Sequence, residues 1–126
     1  MRAVDTNVLI RLILRDDVRQ AAIAERFIER GAWVAHLVVA EAMWVLGTVY
    51  ARSASEIATA VEMLLEHQQL VVQEAEVVSA AVRTFRARPA LGFSDCLLLE
   101  IVRKAGHLPL GTFDKDLSKA DGAERI

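Results

Sequence analysis

The sequence predicts an α/β fold, a three-layer sandwich in which a short, mainly parallel sheet is flanked by helices. Two observations predict it. Short apolar runs alternate with helical patterns along the whole chain, which is the arrangement that βαβ units produce. The composition is 54% hydrophobic and 25% charged with only six Gly and two Pro in 126 residues, too apolar and too regular for a disordered or collagen-like chain.

The elements follow in order. Residues 3–5, 33–35, 70–73 and 108–112 are apolar runs whose length favours strands buried in a parallel sheet, and residues 123–126 add a weak edge. The first helix, residues 7–15, is apolar except for Arg11 and Arg15, which are four apart and share a face. Val39, Met43, Leu46 and Tyr50 mark a second stripe; Ile57, Val61, Leu64 and Leu65 mark a third, opened by the capping-box pair Ser53 and Glu56. Val78, Ala81, Val82 and Phe85 give a fourth, and Leu97, Leu98, Ile101, Val102 and Ala105 a fifth that Gly106 ends. No linker, repeat or charge block divides the chain, so residues 1–126 read as one domain.

Charge and cysteine content exclude several functions. Fifteen Lys and Arg against seventeen Asp and Glu give a net charge of -2, so no broadly basic surface is available for nonspecific nucleic-acid binding and any such contact is local. The single Cys96 excludes an intramolecular disulfide and any multi-thiolate zinc site, and reads as a small buried residue. His36, His67 and His107 form no pair at ligand spacing. Mean hydropathy is +0.30, yet the one candidate membrane span, residues 31–51, carries Glu41 at its centre, and no signal-peptide pattern is present. A cytoplasmic protein is the expectation.

Four acids stand apart from the rest. Asp5 is the only charge in residues 3–10, Glu41 the only one in 31–51, and Asp95 the only one in 89–99, while Asp114 ends the uncharged run 105–113. Taken singly, Asp5, Asp95 and Asp114 also read as helix caps or first-turn acids. Glu41 does not, because it lies inside a helical pattern beside Trp44 and Val45, where solvation is not expected. Four carboxylates in apolar surroundings together suggest a shared site. Converging carboxylates stay ionised only if cations neutralise them, and oxygen donors without His or Cys select Mg²⁺, with Mn²⁺ as substitute. Magnesium bound by few carboxylates and several waters points to hydrolysis of phosphate esters.

The runs Val4-Asp5-Thr6-Asn7-Val8-Leu9, Val38-Val39-Ala40-Glu41-Ala42-Met43-Trp44-Val45-Leu46, Phe93-Ser94-Asp95-Cys96-Leu97 and Thr112-Phe113-Asp114-Lys115-Asp116 resemble a PIN-domain ribonuclease, specifically a VapC-type toxin of a toxin–antitoxin pair. The resemblance spans essentially the whole chain. It implies that Asp5, Glu41, Asp95 and Asp114 are catalytic and bind the metal, that Thr112 orients the last carboxylate or a water, and that Asn7 steadies the first. It further implies cleavage of structured cellular RNA such as transfer or ribosomal RNA, a homodimer, and a small cognate antitoxin that holds the enzyme inactive, with toxin–antitoxin hetero-oligomers. Many relatives carry a second Asp three residues before the position of Asp95; Gly92 stands there in this chain, which implies one firmly held metal rather than two. Asp116 reads as a turn residue and stays outside the site.

Candidate phosphate contacts are Arg11, Arg15, Arg83 and Arg86, since twelve of the fifteen basic residues are Arg, the better bidentate phosphate ligand. Trp44 and Tyr50 read as core or dimer contacts. The helix of residues 39–50 and the stripe 57–65 offer more apolar face than one small domain must bury, which fits a homodimer. Two other functions stay open: a PIN-like module that binds RNA or a partner without cleaving, and an aspartate-nucleophile phosphatase, which needs a second acid where Asn7 stands.

Overall fold

The computed structural model describes all residues from Met1 to Ile126. Five strands and six helices follow in the order β1 (Arg2–Ala3), α1 (Thr6–Leu14), α2 (Val18–Ile28), β2 (Ala32–Val34), α3 (His36–Thr48), α4 (Ala54–Glu66), β3 (Leu70–Val72), α5 (Ala75–Ala87), α6 (Phe93–Ala105), β4 (Leu110–Thr112) and β5 (Ala123–Arg125). Short 3₁₀ turns at Pro89–Leu91 and Leu117–Lys119 complete the chain. All pairing is parallel: β1, β2 and β3 form one sheet in that order, and β4 pairs with β5 in a second. The architecture is the three-layer α/β arrangement expected from the sequence, with the sheet split in two.

Each predicted strand is present, shifted by one or two residues. β1 ends at Ala3 because Asp5 already serves as the N-cap of α1, although the Val4 N–H still reaches the Trp33 carbonyl at 3.2 Å. β4 begins at Leu110 rather than at residue 108; Pro109 has no N–H to give to a ladder. The strands of the first sheet are less enclosed than a doubly covered parallel sheet requires. Ala32, Val34, Leu70 and Val72 are buried, but the alternating Trp33 and Val71 are exposed, so one face is only partly covered.

Helix ends follow their sequence signals. Ser53 and Glu56 form a reciprocal capping box at α4, and Gly106 closes α6 in the left-handed conformation, φ 84°, that glycine adopts without strain. α3 has Ala35 at its N-cap and no capping side chain there; the Gln73 amide oxygen accepts the His36 N–H at 2.9 Å, so an orphan donor at the head of α3 is satisfied from the end of β3.

The core is one apolar cluster that runs from Val4 to Ala120 and draws on every helix. No polar or charged residue is buried in it. Cys96 is fully enclosed, as the sequence indicates, and burial pushes its thiol up to about 11. Gly47 lets α3 approach α4: a Cβ there would stand 3.3 Å from Ile57 Cδ1. No helix is long and apolar enough to cross a membrane.

Candidate active site

In parallel sheets, functional groups collect where strands give way to the segments that follow them. Asp5 is at such a junction. One of its oxygens, Oδ1, accepts the Val8 N–H at 3.1 Å and caps α1, as the cap interpretation of this residue requires; the other oxygen takes no hydrogen bond from the chain. Capping therefore does not consume Asp5. The next residue, Thr6, donates its hydroxyl to Glu41 Oε2 at 3.0 Å and ties the head of α1 to the middle of α3.

Glu41 corrects a sequence expectation, because it is exposed, not enclosed. α3 is apolar on nearly all faces, so its pattern does not say which face is covered. Packing buries Val39, Ala42, Met43 and Leu46 and leaves Leu37, Glu41, Trp44 and Thr48 exposed along one stripe. Trp44 is 63% exposed, so it is not a core residue.

Asp95 lies in the first turn of α6 and is partly buried. Burial raises its pKa above the ordinary aspartate value, and the negative charge of Asp114 adds to the rise. Asp114 is held by its backbone and one oxygen: its N–H donates to Thr112 Oγ1 at 3.0 Å, and its Oδ1 accepts the Leu117 N–H at 2.9 Å. Trp44, Thr48, Gly92 and Asp95 line one groove of about 290 Å³. The exposed stripe of α3 thus runs from the Thr6–Glu41 bond to the groove that Asp95 borders.

No three acidic, histidine or cysteine side chains are grouped as a ready-made metal cage. Thr6, next to Asp5, bonds Glu41, and the charge of Asp114 contributes to the raised pKa of Asp95. Such a donor set fits a hydrated magnesium ion, which keeps several waters and takes only one or two carboxylates, better than it fits an all-protein calcium or zinc site.

The remaining predicted residues are placed as follows. Asn7 is exposed, lines a groove of about 380 Å³ with Asp5 and Arg11, and makes no side-chain hydrogen bond. Arg11 bonds Asp16 at 2.6 Å and the Tyr50 hydroxyl at 3.0 Å, and the Tyr50 bond above all raises its pKa. Arg15 pairs with Glu25 at 2.7 Å, and Arg86 forms a bidentate pair with Glu62 at 2.6 and 3.0 Å. Arg83 alone of the four has only a neutral partner, Ser79. Thr6 is the residue that sequence reasoning passed over; its signal is a hydroxyl directly after a lone acid at a strand-to-helix junction.

No curated protein and no solved structure matches the chain significantly. The family model described as PIN domain matches residues 2–123, a span that takes in β1 through the start of β5 and all four acids. The chain belongs to the PIN-domain family.

Proposed function

We propose that this chain is a metal-dependent endoribonuclease that hydrolyses phosphodiester bonds of structured cellular RNA and acts as the toxin of a cytoplasmic toxin–antitoxin pair. PIN domains are generally magnesium-dependent nucleases. The observation that carries the proposal is the position of Asp5, Glu41, Asp95 and Asp114 at the heads of α1 and α6, on the open stripe of α3 and just beyond β4, with Thr6 bonded to Glu41 and Thr112 to the Asp114 N–H.

In this reading Asp95 and Asp114 would hold a hydrated magnesium ion, and Asp5 and Glu41 would complete the acidic set. When bound, the ion neutralises charge on the phosphoryl oxygens and makes water more acidic. Thr6 fixes one Glu41 oxygen, so the other, Oε1, takes the proton of the attacking water. Water oxygen bonds to phosphorus in line, the bond from phosphorus to the 3′-oxygen breaks, and that oxygen is reprotonated from solvent. Thr112 holds the loop that carries Asp114. The partners are the RNA, a short cognate antitoxin and a second copy of the chain.

The test is cleavage of cellular RNA by purified protein with Mg²⁺ or Mn²⁺, and sequencing of the ends. The expected products carry 5′-phosphate and 3′-hydroxyl groups, and chelator stops the reaction. Cleavage that survives exhaustive chelation, or 2′,3′-cyclic phosphate ends, overturns this mechanism. RNA binding without cleavage under any divalent ion leaves a non-catalytic module.

A further inference from the structure

Three of the four arginines singled out from sequence are engaged by carboxylates of the chain, whereas a different set is not. Arg2, Arg26 and Arg30, with Glu29, Met1 and Gly31, line a concavity of about 480 Å³ where β1 starts and α2 ends. None of the three makes an ion pair, Glu29 included. Arg26 sits in the last turn of α2 and Arg30 in the turn that follows it. Arg2 is fixed in place: it donates to the Phe27 carbonyl at 2.7 Å, and its guanidinium stacks 3.8 Å over the Phe27 ring. Unpaired guanidiniums around a hollow, one of them braced, form a receptor for oxyanions.

The hollow meets the groove of Asp5 at one contact, Arg2 on Phe27. Phe27, which carries Arg2, also lines the groove that contains Asp5, Asn7 and Arg11 between α1 and α2. Gln20 lines that groove too, and the end of α2 at Ile28, just before Arg30, lies eight residues further on, about 12 Å at the helical rise. A stacked strand carries one phosphate per ~3.4 Å, so the path spans roughly four nucleotides. We propose that Arg2, Arg26 and Arg30 form a phosphate cup that holds the RNA backbone a few nucleotides from the scissile bond, at the far end of the α1–α2 groove. This rests on the nuclease reading above and adds a substrate-positioning site to it. An acidic polypeptide is the rival occupant, but only a phosphate backbone joins the cup and the acidic site in one ligand.

The experiment measures binding of a twelve-nucleotide and a two-nucleotide single-stranded RNA in chelator across a series of salt concentrations, for wild type, R26Q/R30Q and R26K/R30K. Both residues are exposed and unpaired, so the variants retain the fold, which circular dichroism checks. The glutamine pair is expected to weaken binding of the longer RNA and to make the slope of log affinity against log salt shallower by about 1.4, at ~0.7 per single-strand phosphate contact. The lysine pair keeps the slope, and the two-nucleotide RNA, too short to reach the cup, responds to neither. An unchanged slope in R26Q/R30Q, or tighter binding of polyglutamate than of RNA by wild type, overturns the cup while metal-dependent cleavage of short RNA leaves the nuclease reading standing. Wild type that neither binds nor cleaves RNA of either length removes both.

Discussion

The Thr6 hydroxyl donates to Glu41 Oε2 at 3.0 Å and so connects the first turn of α1 to the exposed stripe of α3. The bond fixes the carboxylate of a solvent-facing side chain that otherwise samples several rotamers. Thr6→Val removes the donor and keeps the shape. Because the pair is exposed, stability should fall by no more than about 1 kcal/mol. RNA cleavage should fall further, roughly ten- to a hundredfold, because catalysis depends on the carboxylate's position. Thr6→Ser should restore most of the rate. Cleavage that falls only in step with the melting midpoint would show that the bond is merely structural.

The capping box of α4 gives a second, independent check on the fold. Ser53 Oγ accepts the Glu56 N–H at 3.2 Å while Glu56 Oε1 accepts the Ser53 N–H at 2.9 Å, and these bonds to the Ser53 backbone and hydroxyl lead the causes that lower the Glu56 pKa. Ser53→Ala should cost about 1 kcal/mol, seen as a melting midpoint lower by about 3–6 °C, with RNA cleavage at 25 °C unchanged. A loss of cleavage greater than the loss of folded protein would tie α4 to the site.

What was legible in the sequence were features with local signals. The Ser53 and Glu56 pair, Gly106, and the apolar runs of all five strands each carry their own cause, and each lies at or within two residues of the expected position. α2 has no legible stripe because its buried side chains are Ala21, Ala24 and Ile28, and small residues give a weak pattern. The exposure of Glu41 and Trp44 was not legible for the opposite reason: an all-apolar helix has no pattern to show which face its neighbours cover. Pairing of Arg11, Arg15 and Arg86 with Asp16, Glu25 and Glu62 depends on side chains 5, 10 and 24 residues away, which helical spacing does not show.

Of the two apolar faces expected to pair copies, residues 39–50 and 57–65, the second spends Ala58, Val61 and Leu64 on the core. The exposed apolar group of α4 is Met63, which with Ile13, Leu14, Leu46 and Ala60 lines a hollow of about 300 Å³ rimmed by Arg52, Ser55, Glu56 and Thr59. An apolar centre with a polar rim suits a protein interface. None of the four acids lines this hollow. Sedimentation should show a dimer at tens of micromolar and Met63→Glu should give a monomer with the wild-type fold. A wild-type monomer at that concentration, or a dimer undisturbed by Met63→Glu, would place the contact elsewhere or remove it.

The raised pKa of Asp95 separates a metal site from a structural first-turn acid. Burial first, and the Asp114 charge second, hold its carboxyl above the ordinary value of 3.8. Between the unfolded and folded values the native state binds more protons than the unfolded state, so this group makes stability fall as pH rises through that window and remain lowered above it. Asp95→Asn removes this effect. In chelator the variant should therefore melt at or above the wild-type midpoint at pH 7, and that advantage should shrink as pH falls through the folded pKa and vanish well below 3.8. Glu25, Glu62 and Glu76, whose pKa values salt-bridge hydrogen bonds lower, act with the opposite sign, but both proteins share them, so they cancel in the difference. With saturating Mn²⁺ the order should reverse, because wild type gains the stabilisation that ligand binding supplies by linkage and the variant gains less. If Asp95 instead only favours the head of α6, the substitution costs up to about 1 kcal/mol with or without metal. Equal losses in chelator and in Mn²⁺, with cleavage intact, would leave the Asp95–Asp114 pair without a metal to hold.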